Sequence, residues 1–248
     1  MSQQDAYVKK LEIVPLEGWA KHFWDALLPA KNRVSRHPFF VQFAAGELEL
    51  DCVRHALKNF YPLVAHFPSY MALNLAKATG FHLPGVTETR NWLIQNLKVE
   101  ERHLFWYRDW AAGFGLDAHE LDTNLPPAAM NAVNHFLWNV NGRLSLAEGL
   151  AATNLAIEWA TGEWTVQVYH GMKHYRRFPE VDVSTRSLAW LKAHAIYDDA
   201  HPYEAMELIR LLCDADEAAQ QRTLLAAEQG LAYYELALDS CMRDYARA

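Results

Sequence analysis

The segment "GLAATNLAIEWATGEWTVQV", residues 149–168, decides the fold class of this chain. Small and apolar residues dominate the segment, and it contains no Lys or Arg. Ala and Leu favour a helix, and the small side chains of Ala151, Ala152 and Ala156 would let neighbouring helices come close. The segment therefore predicts a helix inside an all-α bundle.

One face of this helix is polar. At helical spacing along that face lie Asn154, Glu158, Thr161 and Thr165. A solvated stripe would usually mix both charge signs, whereas this stripe holds a single carboxylate and neutral hydrogen-bonding groups. A buried carboxylate must be paired or bind a cation. Glu158 is therefore a candidate metal ligand, and an exposed glutamate is the alternative interpretation.

The rest of the chain is also rich in residues that favour helices. The alternation of apolar and polar residues that is typical of strands is nearly absent. Its 248 residues, 51% of them hydrophobic, suit one globular domain with a sizeable core. No linker is long enough to separate domains. We predict a single all-α domain over residues 1–248, a helical bundle with helices near 16–30, 37–45, 49–67, 68–79, 84–114, 127–142, 145–172, 184–201, 203–213 and 215–246.

Composition excludes several classes of function. The formal net charge is -7 and the only basic run is the short "KHYRR" at 173–177, so we expect no nucleic-acid partner. The sequence has no secretory signal pattern and no apolar run of membrane-spanning length, so we expect a cytoplasmic protein with no membrane partner. Its 3 cysteines fit reduced thiols. Exposed aromatic helices favour a homodimer.

A second segment, "HAIYDDAHP" at 194–202, concentrates ligand-type side chains. On a helix His194, Asp198 and His201 would lie within roughly 60° of one another, because each residue turns the helix by about 100°. Two imidazoles and a carboxylate on one stripe can be presented to a metal. A solvated helix face is the alternative interpretation of this pattern.

A third segment, "NWLIQNLKVEERHLFWYRDW" at 91–110, places Glu100 and His103 three positions apart. Side chains at this spacing face together on a helix, and Glu-x-x-His is the spacing of carboxylate-bridged di-iron bundles. A surface charge cluster is the alternative. Together the three segments supply six donors, three carboxylates and three imidazoles. Oxygen and imidazole donors without thiolate suit iron or manganese, and six donors are enough for two metal ions.

These three segments resemble the haem-oxygenase-like di-iron oxidases and oxygenases over most of the chain. They are most similar to the bacterial decarboxylases that convert a medium-chain fatty acid to a terminal alkene. The motifs "ATGEW" and "YDDAHP" are nearly identical to the corresponding motifs of these decarboxylases. The broader superfamily includes TenA-like proteins, pyrroloquinoline-quinone synthase and haem oxygenase. The resemblance implies a bundle of about seven core helices.

The resemblance also implies a ligand set and a cofactor. It assigns Glu100, His103 and His194 to one iron and Glu158, Asp198 and His201 to the other, with a carboxylate able to bridge. Glu100, Glu158 and Asp198 would then be the catalytic carboxylates. Two Fe ions cycling between Fe(II) and Fe(III) would be the cofactor, O2 the co-substrate, and an electron donor a further partner.

The substrate pocket is predicted from apolar residues and from one departure. Phe60, Tyr61, Val64 and Phe67 could line an apolar tunnel for an acyl chain, and Trp159 stands where the family has a glycine. We expect a small-molecule substrate, a fatty acid or another carboxylate, and oxidative decarboxylation to a terminal alkene.

Three alternatives stay open. The same di-iron unit could act on an amine or amino acid by N-oxygenation or C–C cleavage, which a polar, charged pocket would favour. A metal-free TenA-like binding protein or thiaminase relative is the second, although a thiaminase needs a positioned cysteine nucleophile. Haem binding through His22 on the first helix is the third, and it would leave the six other donors without a purpose.

Overall fold

A computed structural model describes residues 11–196 and 200–245 of the chain. The regular structure in these ranges is helical and contains no strand, which confirms the predicted all-α class. None of the described helices has both the length and the apolar character needed to cross a membrane. The α-helices are α1 (Gly18–Ser35), α2 (Pro38–Ala45), α3 (Leu50–Lys77), α4 (Val86–Gly113), α5 (Ala118–Thr123), α6 (Ala128–Arg143), α7 (Leu146–Leu150), α8 (Glu158–Gly171), α9 (Ala189–Ile196), α10 (His201–Cys213) and α11 (Glu217–Tyr245).

A π-helical segment, Ala151–Ile157, joins α7 to α8 and makes one continuous helical rod. Every residue of this segment is buried, and helices α10 and α11 pack against it. Small side chains permit this packing: a Cβ on Gly230 of α11 would lie only 3.1 Å from the Ala152 carbonyl oxygen. The helix predicted over 145–172 is confirmed in extent, but the sequence pattern did not predict its π-helical turn.

Helix α3 is longer than the sequence pattern predicts. The predicted break between residues 67 and 68 is wrong, because α3 continues through both Pro62 and Pro68. Proline removes a backbone donor and usually kinks or ends a helix. Here α4 and α6 pack along α3, and this tertiary packing outweighs the local preference of proline.

The helix predicted over 184–201 is only partly correct. Its first turn is absent, because the backbone N–H and the hydroxyl of Ser184 both donate to the Asp182 carboxylate, at 2.9 and 2.8 Å. Such local side-chain bonds compete with helix formation. His194 belongs to α9, whereas His201 is the first residue of α10, so the two histidines lie on separate helices.

Aromatic contacts hold the helices around the interior. The rings of Phe40 on α2 and Trp164 on α8 stack with centroids 4.1 Å apart. The indoles of Trp110 on α4 and Trp190 on α9 stack at 5.3 Å with an angle of 7° between their planes. Offset aromatic pairs add stability beyond the area that they bury. These contacts place α2, α4, α8 and α9 around one interior space.

Two glycine substitutions test the close approach of α2 to α8. A Cβ on Gly171 would lie 2.2 Å from the Ala44 carbonyl oxygen, whereas a Cβ on Gly142 has no neighbour within 4 Å. We expect Gly171→Ala to destabilise the protein by about 2 kcal/mol through overpacking. Gly142→Ala, the matched control, should stabilise it by about 0.5 kcal/mol through lower chain entropy. Urea unfolding of both variants measures the difference, and equal effects would contradict the close approach.

Candidate metal centre

Glu158 begins α8, directly after the π-helical segment. Its Oε1 accepts a hydrogen bond of 2.7 Å from Asn154 Nδ2, one turn earlier. Its Oε2 lies 3.1 Å from Nδ1 of His201, at the start of α10. Each oxygen of the carboxylate therefore has a hydrogen-bond partner. One partner lies on the same helical rod as Glu158, and the other lies on α10.

Glu100 and His103 lie one turn apart on α4, as their spacing predicted. His103 Nδ1 is 3.0 Å from Glu100 Oε2, and the two residues are 2% and 6% exposed, respectively. The His103 ring also contacts the His194 ring from α9, with centroids 4.5 Å apart. His194 Nδ1 lies 2.9 Å from the Trp190 carbonyl oxygen, which fixes the orientation of its imidazole.

The Glu158–His201 pair and the group formed by Glu100, His103 and His194 meet in the interior of the bundle. Ligand atoms of Glu100, Glu158 and His201 all lie within 4.8 Å of one another, close enough to hold one metal ion. This trio combines donors that the resemblance assigns to different irons. Five of the six predicted ligands are therefore brought together, whereas Asp198 lies outside the described residues.

The electrostatics of this cluster favour a cation. The pKa of Glu158 is raised to about 7, mainly by burial; contact with His201 opposes this shift, and the nearby Glu100 carboxylate adds to it. Burial and the neighbouring His103 lower the pKa of His194 well below its usual value, so its imidazole is neutral at pH 7. Neutral imidazoles and carboxylates are the ligand forms that a metal needs.

The residues fit iron in their chemistry. Oxygen and imidazole donors with no thiolate among them suit Fe or Mn. Two buried carboxylates at this distance repel each other unless a proton or a cation lies between them. In addition, Asn154 is fully buried and its Oδ1 has no hydrogen-bond partner among the described residues. A water or another donor beside the metal would satisfy that oxygen.

A largely apolar cavity adjoins the cluster. Its wall includes Glu100, His103, Glu158 and His194 at one side, and Phe60, Val64 and Phe67 of α3 as predicted. Sequence reasoning missed the contributions of α2, α9 and α11. Aromatic residues on these helices are typical of ordinary core, and only the assembled bundle separates wall from core. The missed wall residues are Phe39, Phe40, Phe43, Trp190 and Tyr234.

Two predicted pocket residues lie elsewhere. The cavity wall, as far as the described residues form it, includes neither Tyr61 nor Trp159. The Tyr61 hydroxyl instead donates to the Asp122 carboxylate at 2.8 Å. The Trp159 ring packs against that of Trp24 of α1, with centroids 3.8 Å apart and planes tilted by 32°. Trp159 follows Glu158 on the helix and therefore points about 100° away from it.

The protein family that the chain matches is consistent with a site that binds iron. Residues 54–235 match the model of a family described as iron-containing redox enzymes. Among solved structures, a TenA homolog from Pseudomonas syringae pv. tomato is 32% identical with a TM-score of 0.85, and the match covers 95% of this chain and 100% of that one.

Two curated relatives, both named 4-aminobenzoate synthase, are more distant. The protein from Chlamydia trachomatis serovar D is 26% identical over 207 residues, which is 79% of this chain and 84% of the relative. The protein from Chlamydia muridarum is 28% identical over 133 residues, which is 52% of this chain and about half of the relative, 53%.

Metal affinity should depend on pH because of Glu158. Below pH 7 this carboxyl keeps its proton, since its pKa is raised to about 7, and a metal must displace that proton. We expect affinity for Mn²⁺ to rise by about tenfold per pH unit below pH 7 and to level off above it. Competition with a chromophoric chelator measures this. A constant affinity from about pH 5.5 to pH 7 would contradict the assignment.

Asn154 should support metal binding without contacting the metal. Asn154→Leu keeps a similar volume but removes the donor to Glu158 Oε1. We expect Mn²⁺ affinity to fall by about tenfold, the effect of losing a partner that orients a ligand. The matched control is Asn139→Leu at an exposed position of α6, which should leave the affinity unchanged. Equal affinities in both variants would exclude the positioning role.

Proposed function

The chain belongs to the family of iron-containing redox enzymes, and from this premise we propose that it is a non-haem di-iron oxidase that uses O2 to oxidise an apolar carboxylic acid. The observation that carries the proposal is the largely buried cluster of Glu100, Glu158 and His201, whose ligand atoms lie within 4.8 Å of one another beside an apolar cavity. A buried carboxylate pair of this kind needs a cation.

The proposed ligands divide between two irons. Glu100, His103 and His194 would hold one ion, and Glu158 and His201 would hold the other together with Asp198. Iron bound in this set would supply the activation of O2. Ligand atoms of Glu100 and Glu158 lie within 4.8 Å of each other, which supports a carboxylate shared between the two proposed sets.

Residues of the chain orient the candidate ligands and exclude water from the cavity. Asn154 and His201 hold the two oxygens of Glu158, so that the carboxylate does not rotate between partners. The Trp190 carbonyl beside His194 Nδ1 leaves the other ring nitrogen as the ligand atom. Phe40, Phe60 and Phe67 in the wall exclude water and confine an apolar substrate next to the ligands.

The reaction that we propose is oxidative decarboxylation of a medium-chain fatty acid to a terminal alkene. The wall favours this substrate because its described residues include no Lys or Arg, and its only carboxylates are the candidate ligands. Loss of CO2 and of a β-hydrogen removes two electrons from the acid. Complete reduction of O2 to water takes two more, which an external electron donor would supply.

A second candidate is oxidation of an aromatic or amino-acid substrate. It is favoured by the two relatives named 4-aminobenzoate synthase. Parallel aromatic rings in the wall, such as Phe40 and Trp164, would also accept a flat ligand. A product assay with both substrate classes separates this candidate from the first.

Cysteine chemistry of the thiaminase type has less support. Cys52, Cys213 and Cys241 are all buried. Burial is the main cause that raises the pKa of all three thiols, that of Cys52 to about 11. A nucleophilic cysteine requires a lowered pKa. His22, the position considered for haem, is exposed on α1 and lies away from the cavity wall.

Iron retention tests the proposal. After anaerobic Fe(II) loading and desalting, we expect about two irons per chain in the wild type, as a six-donor set permits. His103→Ala should lose most of this iron because it removes a buried donor. The matched control is His22→Ala, an exposed histidine outside the cluster, which should retain wild-type iron.

The outcome that overturns the proposal is a folded wild type that retains no iron. If iron is retained, O2 uptake with octanoate, dodecanoate and 4-hydroxybenzoate identifies the substrate class. Dodecanoate-dependent O2 uptake with alkene release supports the first candidate, whereas uptake only with the aromatic acid supports the second.

A further inference from the structure

Two indole N–H groups in the cavity wall have no hydrogen-bond partner in the described part of the chain. Trp110 of α4 and Trp190 of α9 both line the cavity, and each is 3% exposed. Among the described residues nothing accepts a hydrogen bond from Nε1 of either indole. Buried polar groups are nearly always hydrogen-bonded, so two orphaned donors in one wall require an explanation.

Packing against other rings does not provide these two N–H groups with a strong hydrogen-bond acceptor. Both indoles stand edge-to-face to the Tyr107 ring, at 5.5 and 5.4 Å between centroids. A contact of an N–H with a ring face is a weak substitute for a true acceptor. Trp164, in the same wall, differs because its Nε1 donates to the Tyr234 hydroxyl at 3.0 Å. The absence of a partner is therefore particular to the stacked pair.

The position of the pair points towards the candidate ligands. The centroids of the Trp190 and His194 rings lie 4.1 Å apart, and Trp110 stacks on the Trp190 indole. A group held by these donors would therefore lie in the part of the cavity next to the cluster. The described wall offers no Lys or Arg to neutralise an anion there.

We infer that Trp110 and Trp190 form a hydrogen-bond-donor subsite that holds the carboxylate oxygens of the substrate. An indole N–H can donate but cannot accept. The subsite therefore fits a carboxylate, which accepts several hydrogen bonds, and rejects an alkylammonium group, which only donates. The inference rests on the proposed function, because it names the substrate class for the same cavity, and it favours a carboxylic acid over an amine.

The first test observes the two N–H groups directly. The chain has 9 tryptophans, so ¹⁵N-tryptophan labelling gives a small set of indole signals, and loss of a signal in Trp110→Phe or Trp190→Phe assigns it. Zinc-loaded protein is used because Zn²⁺ is diamagnetic, with metal-free protein in parallel. Octanoate should move both assigned protons downfield, and octylamine at the same concentration should not.

The second test measures affinity by calorimetry. Each Trp→Phe variant keeps an aromatic ring but loses one N–H, and should weaken octanoate binding by about tenfold or more, as expected for a hydrogen bond to a charged group. Trp19→Phe is the matched control, because Trp19 is not among the described residues of the cavity wall and its N–H already donates to Asp214 at 3.0 Å. It should change octanoate affinity by less than about threefold.

Three outcomes would overturn the inference: indole signals that stay in place while octanoate binds, equal weakening by all three variants, or no octanoate binding to the wild type. Iron content is measured on the same preparations. A protein that retains iron without an indole shift loses only the subsite. A protein that shifts its indole signals without retaining iron loses the redox function and keeps the subsite.

Discussion

The closeness of two buried carboxylates is the constraint on which the rest of this structure depends. Glu100 and Glu158 come from different helices, and their ligand atoms lie within 4.8 Å together with that of His201. Like charges in a dry interior cannot both ionise without compensation. Burial is the main cause that raises the pKa of Glu158, and the Glu100 carboxylate adds to it. A cation between the carboxylates would offset both effects.

Several features of the fold serve this constraint. The π-helical segment Ala151–Ile157 precedes Glu158 and carries Asn154, whose amide grips one carboxylate oxygen. π-Helical turns are frequent at functional sites because they redirect side chains without ending the helix. The surrounding aromatic wall keeps water away, which strengthens every charge interaction in the cluster. The same residues therefore pack the interior and support the candidate ligands. A substitution that disturbs the packing is expected to disturb the site as well.

Much of the site could be predicted from residue spacing. The pair Glu100 and His103 faces together because three positions on a helix share a face, and the structure has this pair in contact. The polar stripe likewise placed Asn154 and Glu158 on one helix face, and the structure has a hydrogen bond between them. The pocket was less predictable: Tyr61 and Trp159 have the right side-chain type, yet each points away from the cavity. Residue type does not distinguish a wall from a core, since both are apolar.

The sequence by itself determined the helical class, the spacing of donors within each helix and the family. These properties are local, because helix periodicity acts over a few residues. Only the tertiary structure decided that α4, α8 and α10 bring their donors to one point, that prolines stay inside α3, and that Trp110 and Trp190 keep orphaned N–H groups. Such properties depend on contacts between residues far apart in the chain, and packing energy there outweighs local preference.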